Sequence, residues 1–150
     1  MPNRRLPLKS TSRGKETRTP KSFADQASYM SISFLYFQNN DTSPAQSLNT
    51  WNVENRLLDI LNTLHYVTSN DITQLQSTDS KLTLYGNFPE KSVNEFSLPS
   101  SLENSMKEGD KWGVLRNIGG QKPRIAGFLR DNIFYIVYLD KDHKFYKSQK

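Results

Sequence analysis

The pattern of apolar and polar positions is clearest in residues 111–150 of the chain. Three strand-like runs follow one another there: KWGVLRNI, RIAGFLR and NIFYIVYLD. The segment GGQKP separates the first two runs, and the pair Asp131-Asn132, which tolerates positive φ, separates the last two. These features predict three successive antiparallel strands. The run from Ile133 to Leu139 is apolar on both alternating faces, which predicts a central strand that is covered on both sides.

Helical spacing of apolar residues occurs further upstream. The segment TWNVENRLLDILNTLHYV predicts a main helix from Trp51 to Leu64, with Thr50 as its N-cap residue. The apolar positions that produce this spacing are Val53, Leu57, Ile60, Leu61 and Leu64. The next segment, SNDITQL, predicts a short second helix whose cap is either Ser69 or Asn70.

Two further strand-like runs flank the helical region, namely SISFLYF from Ser31 to Phe37 and KLTLY from Lys81 to Tyr85. The residues between KLTLY and the C-terminal strands predict mostly loop, with one helical turn from Ser101 to Met106. A loop of this length in a compact domain indicates either an element without a clear sequence signal or a functional loop. The whole pattern predicts an α+β fold, in which an amphipathic helix packs on a small antiparallel sheet.

The start of the chain has no periodicity that would predict a folded element. Residues 1–22 contain three prolines and, as large aliphatic residues, only Leu6 and Leu8. We therefore predict a basic, disordered N-terminal arm over residues 1–29 and a single domain over residues 30–150. The arm can bind phosphates through flexible arginines and lysines, or it can be an inert tail upstream of an alternative start at Met30.

Charge is strongly segregated along the chain. Residues 1–22 carry a net charge of +6, residues 23–110 carry −7, and residues 111–150 carry +6. Segregation of this kind is informative about partners rather than about the fold, and it favours a polyanionic partner such as RNA or DNA.

Composition excludes several other classes of site. The chain contains no cysteine, and its two histidines, His65 and His143, lack metal-binding spacing, so we expect neither a metal site nor a small-molecule cofactor. His65, near the end of the predicted main helix, is best interpreted as a partner of the helix dipole. Since the sequence has no apolar run of about 18 residues and no apolar signal segment, it predicts a soluble, cytoplasmic protein without a membrane partner.

The run RIAGFLRDNIFYIVYLDKDHKFY contains an arginine-bearing strand, a short turn, an apolar strand and a terminal cluster of histidine, lysine and tyrosine. In this order of features the chain resembles the RelE/ParE-like toxin superfamily of bacterial type II toxin–antitoxin systems. The resemblance implies a RelE-like fold and a metal-independent endoribonuclease that cleaves mRNA, often on the ribosome. It also implies a small antitoxin protein as the partner that neutralises the toxin.

Cleavage of RNA without a metal requires a base, an acid and fixed cations around the scissile phosphate. The resemblance implies that the catalytic residues are Arg124, Arg130, His143 and Tyr146. It implies that the RNA-binding residues are Lys111, Arg116, Lys144 and Lys147. Because Arg124 and Arg130 are six residues apart on one strand, we expect both on the same face, on an open surface shared with His143 and Tyr146.

Each of these residues also has a purely structural interpretation. His143 can be a solvated residue after a strand, Tyr146 can close the edge of the core, and Arg124 and Arg130 can be charges on an edge strand. Asp140 and Asp142 should weaken phosphate binding beside His143, although either one can orient its imidazole. The alternatives to a nuclease are a non-catalytic nucleic-acid-binding or gyrase-targeting protein of the same fold, or a plain protein-interaction module.

Overall fold

The computed structural model describes residues 29–77 and 80–147, so nearly all of the predicted N-terminal arm lies outside the described residues. The described chain has an α+β fold with three α-helices and five strands. The helices are α1 (Leu48–Val53), α2 (Leu57–Thr68) and α3 (Ile72–Ser77). The strands are β1 (Ser31–Ser33), β2 (Leu82–Gly86), β3 (Lys111–Leu115), β4 (Arg124–Arg130) and β5 (Ile133–Asp140). None of the described helices is long and apolar enough to cross a membrane.

The five strands form one mixed sheet in the order β1-β5-β4-β3-β2. The predicted antiparallel run of three strands is confirmed as β3, β4 and β5, and Asp131 in the turn between β4 and β5 has a φ of 56°. The prediction of a wholly antiparallel sheet is wrong at one edge, because β1 pairs with β5 in parallel. Strand β5 is internal, as predicted, but the middle position of the sheet belongs to β4.

Both faces of the sheet are covered, which explains why β5 is apolar on both sides. On one face the helices contribute a core with Trp51, Ile60 and Val67. On the other face the long loop between β2 and β3, together with the C-terminal segment, contributes a core with Phe96 and Phe145. The loop therefore supplies the cover of the second face, and this accounts for its length.

The predicted main helix is two helices, α1 and α2, separated by a turn. Asn55 adopts a left-handed φ of 63°, and the backbone N–H of Arg56 donates to the carbonyl of Trp51 at 2.7 Å. A left-handed residue after the last helical turn, with this backward hydrogen bond, ends a helix, and asparagine tolerates that conformation. The N-cap is Ser47 rather than Thr50, since the Ser47 hydroxyl accepts from the backbone N–H of Thr50 at 3.1 Å.

The break changes which apolar side chains of the helical region are buried. Ile60 is buried and Leu57 and Leu64 pack against the core, whereas Val53 and Leu61 are exposed. The second predicted helix is confirmed as α3, but its first turn is capped by neither Ser69 nor Asn70. Instead, the Asp71 carboxylate accepts from the backbone N–H of Thr73 at 2.7 Å.

The remaining predicted elements differ from the structure in their bounds. The strand predicted from Ser31 to Phe37 ends at Ser33, and the strand predicted from Lys81 to Tyr85 runs from Leu82 to Gly86. The predicted turn from Ser101 to Met106 is a short 3₁₀ helix over Ser100–Leu102.

Strand β5 contains a bulge that reverses the alternation of its side chains. Ala126 pairs with Tyr138 and Gly127 pairs with Ile136, so Val137 is an extra residue without a partner on β4. As a result Leu139 joins the helix-side core, and Tyr138 joins the opposite core. Without the bulge, strict alternation would place Leu139 in the opposite core and Tyr138 in the helix-side core.

Candidate functional site

The candidate site lies at the end of the sheet where β4 begins and β5 ends. In the register of these strands Arg124 is opposite Asp140. Leu115, the last residue of β3, pairs with Ile125, so the next residue, Arg116, lies beside Arg124. The sheet therefore places two arginines and one carboxylate side by side on three neighbouring strands.

The chain folds back across this end of the sheet after β5. The buried Asp140 carboxylate accepts two backbone N–H groups of the tail, from Lys144 at 2.8 Å and from Phe145 at 2.9 Å. Phe145 is fully buried against the aromatic rings of the second core. The tail, residues 141–147, is therefore tied to the body of the protein at both its backbone and its side chains.

Two residues of the tail have left-handed backbones. The φ angle is 58° at His143 and 56° at Tyr146. Non-glycine residues in this region cost of order 1 kcal/mol each and concentrate at functional sites, where the surrounding structure holds them. Here the two left-handed turns bring the side chains of His143 and Tyr146 over the same end of the sheet as Arg124.

Tyr146 is held by a second tyrosine, Tyr85 of β2. The two rings are stacked with centroids 3.8 Å apart and planes within 4° of parallel. We call these two side chains the tyrosine pair. Because Tyr85 is on the edge strand β2 and Tyr146 is on the tail, their stacking connects the tail to that strand.

An open cleft of about 260 Å³ lies between the sheet and the tail, and we call it the cationic cleft. Its lining residues are Thr83, Tyr85, Arg116, Arg124, His143, Tyr146 and Lys147. Among the described residues, the lining contains three cationic side chains and no carboxylate. Asp140 and Asp142 are not part of the lining: Asp140 is buried beneath the tail, and Asp142 is exposed. A ligand in the cleft therefore meets no carboxylate in the lining itself, although Asp140 lies beside Arg124.

Arg124 is the most unusual group of the cleft. Its residue is only 7% exposed, and its Nε and Nη1 atoms have no hydrogen-bond partner within the described part of the chain. Burial, followed by the charge of Arg116, lowers the pKa of Arg124, while the neighbouring Asp140 opposes this change. A buried donor without an acceptor is costly, so an anion that reaches this guanidinium gains strong hydrogen bonds.

His143 is the imidazole of the cleft. Burial, followed by the charge of Arg124, lowers its pKa below the ordinary value, and a hydrogen bond to the backbone of Tyr146 partly opposes this shift. The imidazole is therefore neutral at pH 7 and can accept a proton. Tyr85 has a raised pKa because of burial, so its phenol stays protonated and can donate a hydrogen bond.

Two lysines of the tail, Lys144 and Lys147, pair with Glu95 of the long loop, whereas Lys141 pairs with Glu54. The Glu95 carboxylate is 3.2 Å from Lys147 Nζ and 3.6 Å from Lys144 Nζ. The hydrogen bond from Lys147 is the main reason why the pKa of Glu95 is lowered. All three side chains are 40–44% exposed, so solvent screens these pairs and they contribute little to stability. Lys147 also lines the cationic cleft, whereas Lys144 does not.

Two of the predicted residues lie at the other end of the sheet. Lys111 is an exposed residue at the start of β3, paired with Leu129 at the far end of β4. Arg130 is on the same face of β4 as Arg124, but it forms a salt bridge with Asp110 at 2.8 Å. Its guanidinium also donates to the Ser105 carbonyl at 2.9 Å. The structure therefore separates Arg130 from Arg124, His143 and Tyr146.

We expect Arg130→Ala to lower the free energy of unfolding by about 2 kcal/mol, because the nearly buried Asp110 carboxylate loses its cationic partner and keeps only the backbone N–H of Lys107. The measurement is the urea midpoint at pH 7, with Lys111→Ala as a control at the same end of the sheet. A role of Arg130 in cleavage stays a prediction. A reduced rate of RNA cleavage by Arg130→Ala, measured under conditions in which the variant is fully folded, would support it.

Some residues of the cleft had no sequence signal of their own. Tyr85 and Thr83 belong to an alternating strand, where a polar face is normally solvated, and only the fold brings them beside the tail. Asp140 was considered for its charge, whereas in the structure its two hydrogen bonds to the tail backbone are its main contacts. Among the described residues, no three histidine, aspartate or glutamate side chains converge as a metal ion requires.

The cationic cleft thus combines two adjacent arginines, a neutral imidazole and a stacked tyrosine pair at one end of the sheet. Such a set of groups can bind a phosphate and exchange protons with it. In comparisons with known proteins, the chain matches no protein-family model, no curated protein and no solved structure, so the geometry of the cleft carries the functional assignment.

Proposed function

We propose that the protein is a toxin of a toxin–antitoxin system that cleaves mRNA in the cytoplasm as a metal-independent endoribonuclease. The observation that carries this proposal is the guanidinium of Arg124, which is buried, lacks partners at two nitrogens and lines a cleft beside an imidazole. Nε and Nη1 are themselves closed off from solvent, so a phosphodiester binds the part of the guanidinium that lines the cleft and adds anionic oxygens beside it. The positively charged C-terminal region, with its net charge of +6 over residues 111–150, favours the same partner.

The cleavage reaction divides among the groups of the cleft. The RNA 2′-hydroxyl transfers its proton to His143 and attacks the adjacent phosphorus, which forms a cyclic phosphate as the bond to the 5′-oxygen breaks. Arg124 and Arg116 stabilise the charge that develops on the phosphate oxygens. The departing 5′-oxygen takes a proton from the phenol of Tyr146 or from the ammonium group of Lys147.

The electrostatics of His143 suit the first proton transfer. A base must be neutral before it can accept a proton, and the lowered pKa of His143 keeps the imidazole in that form at pH 7. After proton transfer the imidazolium lies close to two arginines, so it returns its proton readily. The cleft lining has no carboxylate among the described residues, so the arginines stabilise the negative charge of the transition state without competition from a lining carboxylate.

The order of elements supports the RelE/ParE-like resemblance. After the short strand β1 the helices follow, then β2 and the long loop, then the antiparallel run of β3, β4 and β5, and a tail with His143 and Tyr146. A small antitoxin protein is the proposed partner. Val53, Leu58 and Leu61 are 71%, 66% and 56% exposed on the helical region, so they offer apolar side chains to such a partner.

A non-catalytic nucleic-acid-binding or gyrase-targeting protein is the second candidate. One observation favours it: within the described lining of the cleft, His143 is the only group whose ordinary pKa is near neutrality. Cleavage requires both a base and an acid, and only one group of the lining is suited to proton transfer at neutral pH. A binding protein needs the arginines and the tyrosine pair but no proton transfer. A plain interaction module needs neither of them and leaves the unpaired guanidinium of Arg124 unexplained.

Inducible expression in bacteria tests the proposed function. We expect growth arrest that is relieved by co-expression of a small neighbouring reading frame, and we expect the purified protein to cleave mRNA with EDTA present. Cleavage is measured on free mRNA and in a translating extract, because members of this superfamily often act on the ribosome. Normal growth together with intact mRNA in both assays would favour the non-catalytic candidate.

A further inference from the structure

A second open cavity lies on the other side of the tyrosine pair. It has a volume of about 290 Å³, and we call it the loop cavity. Its lining residues are Tyr85, Asn87, Phe88, Pro89, Glu90, Ser92, Val93 and Tyr146. Tyr85 and Tyr146 are the residues that it shares with the cationic cleft. The tyrosine pair is therefore a common wall between two cavities.

The loop that lines this cavity is held in place. Asn94 is 1% exposed; its amide donates to the Pro89 carbonyl at 3.3 Å and accepts from the backbone N–H of Phe96 at 2.9 Å. The tail reinforces the loop, because the backbone N–H of Lys147 donates to the Val93 carbonyl. The loop cavity is consequently formed before any ligand arrives, as small-molecule sites usually are.

The two cavities differ in charge. The cationic cleft has Arg116, Arg124 and Lys147 in its lining, whereas the described lining of the loop cavity has no cation and one carboxylate, Glu90. Apart from the two tyrosine hydroxyls, the other polar side chains there are the amide of Asn87 and the hydroxyl of Ser92, which donates to Glu90 Oε1 at 3.5 Å. A phosphate is repelled by this lining, while a flat, neutral ring with N–H donors can stack on an aromatic wall and bind Glu90.

We propose that the loop cavity binds the nucleobase next to the phosphate held in the cationic cleft, and that it favours bases with an exocyclic amino group over uracil. This inference rests on the proposed function, because it requires single-stranded RNA in the cleft. Tyr146 is 37% exposed and can stack with the base. The Glu90 carboxylate accepts hydrogen bonds only, so it suits the amino groups of adenine, cytosine and guanine and opposes the two carbonyl oxygens of uracil.

Binding of uncleavable oligonucleotides to the full-length protein tests this inference. The probes are fluorescent 2′-O-methyl hexamers of adenosine, cytidine or uridine, in which the attacking hydroxyl is blocked. We expect the adenosine and cytidine hexamers to bind about tenfold more tightly than the uridine hexamer. In Glu90→Gln the preference should fall to about twofold or less, because the amide presents a donor as well as an acceptor.

Two further variants separate the contributions of base and charge. Glu103→Gln removes one exposed carboxylate outside both cavities, so it should change all three affinities by the same factor and leave the preference intact. Arg124→Ala should weaken the binding of all three hexamers about equally, because the Arg124 side chain contacts phosphate rather than base. Equal binding of the three hexamers by the wild type, or an unchanged preference in Glu90→Gln, overturns the base site and leaves RNA binding standing. If no hexamer binds, the base site fails, and cleavage in the translating extract decides separately whether the proposed function stands.

Discussion

Replacing Arg124 with alanine is expected to slow RNA cleavage by about a hundredfold or more, because the developing charge on the phosphate loses its buried cationic partner. The rate is measured under single-turnover conditions with a short RNA substrate. Arg124→Lys restores the charge but not the planar set of donors, and we expect it to recover only part of the rate. Lys111→Ala, at the far end of β3, is the matched control and should change the rate by less than about threefold.

The same prediction extends to His143 and to the pH dependence of the reaction. His143→Ala should also cost about a hundredfold, as the loss of a positioned base does. In the wild type the rate should rise with pH through a pKa below the ordinary value for histidine, since burial and the charge of Arg124 lower the pKa of His143. In Arg124→Ala this limb should move to higher pH, because one of the charges that lower the pKa is gone.

If His143 is not the base, the loss of the Arg124 charge would leave that pH limb in place. Circular dichroism and a thermal melt must first show that each variant is folded. If Arg124→Ala and His143→Ala are folded and still cleave at the wild-type rate, the nuclease mechanism is wrong. The non-catalytic candidate then predicts that Arg124→Ala loses RNA affinity, whereas His143→Ala keeps it.

The C-terminal strands show what could be predicted from the sequence. Their apolar runs and the Asp131-Asn132 turn are local signals, and the structure has the expected antiparallel pairing there. The break at Asn55 was not predictable in the same way, because the apolar spacing continues across it and the hydrogen bond that ends α1 depends on a single left-handed residue. The bulge at Val137 is similar: one extra residue exchanges the faces of two side chains without changing the composition of the strand.

Only those residues of the candidate site that lie close together in the sequence could be predicted. Arg124, His143 and Tyr146 follow a strand or begin one, and the fold-back of the tail brings them together. Arg130 has the same residue type on the same strand face, but Asp110 is within reach and neutralises it. Tyr85 was missed because its contact with Tyr146 joins segments far apart in the chain, and no local periodicity reports such a contact.

Asp140 connects the fold to the site, and its replacement is the second change with a large expected effect. We expect Asp140→Ala to lower the free energy of unfolding by about 3 kcal/mol, because one buried and one partly buried backbone N–H group of the tail lose their acceptor and Arg124 loses its neighbouring charge. Since these contacts hold the tail, the variant should also lose the Tyr85–Tyr146 stack. The measurements are the urea midpoint and the tyrosine ring signals in the NMR spectrum.

The pH dependence of this effect has a definite sign. Burial raises the pKa of Asp140 from 3.8 to about 6 in the folded protein, although the hydrogen bonds from Lys144 and Phe145 oppose the rise. The folded state therefore binds this proton more tightly than the unfolded state does. The resulting stability, of order 2–3 kcal/mol, is fully present below about pH 4 and is lost as the pH rises through about 6.

The wild type should consequently exceed Asp140→Ala in stability by more at pH 4 than at pH 7, since the variant has no carboxyl group to protonate at this position. The comparison uses urea midpoints of both proteins at matched ionic strength, so that titration of the other carboxylates is common to the two curves. Asp142→Ala, which removes an exposed carboxylate two residues along the tail, is the control and should show no such divergence. A gap between wild type and Asp140→Ala that narrows on acidification would mean that the charged carboxylate, rather than its hydrogen-bonding oxygens, holds the tail over the cationic cleft.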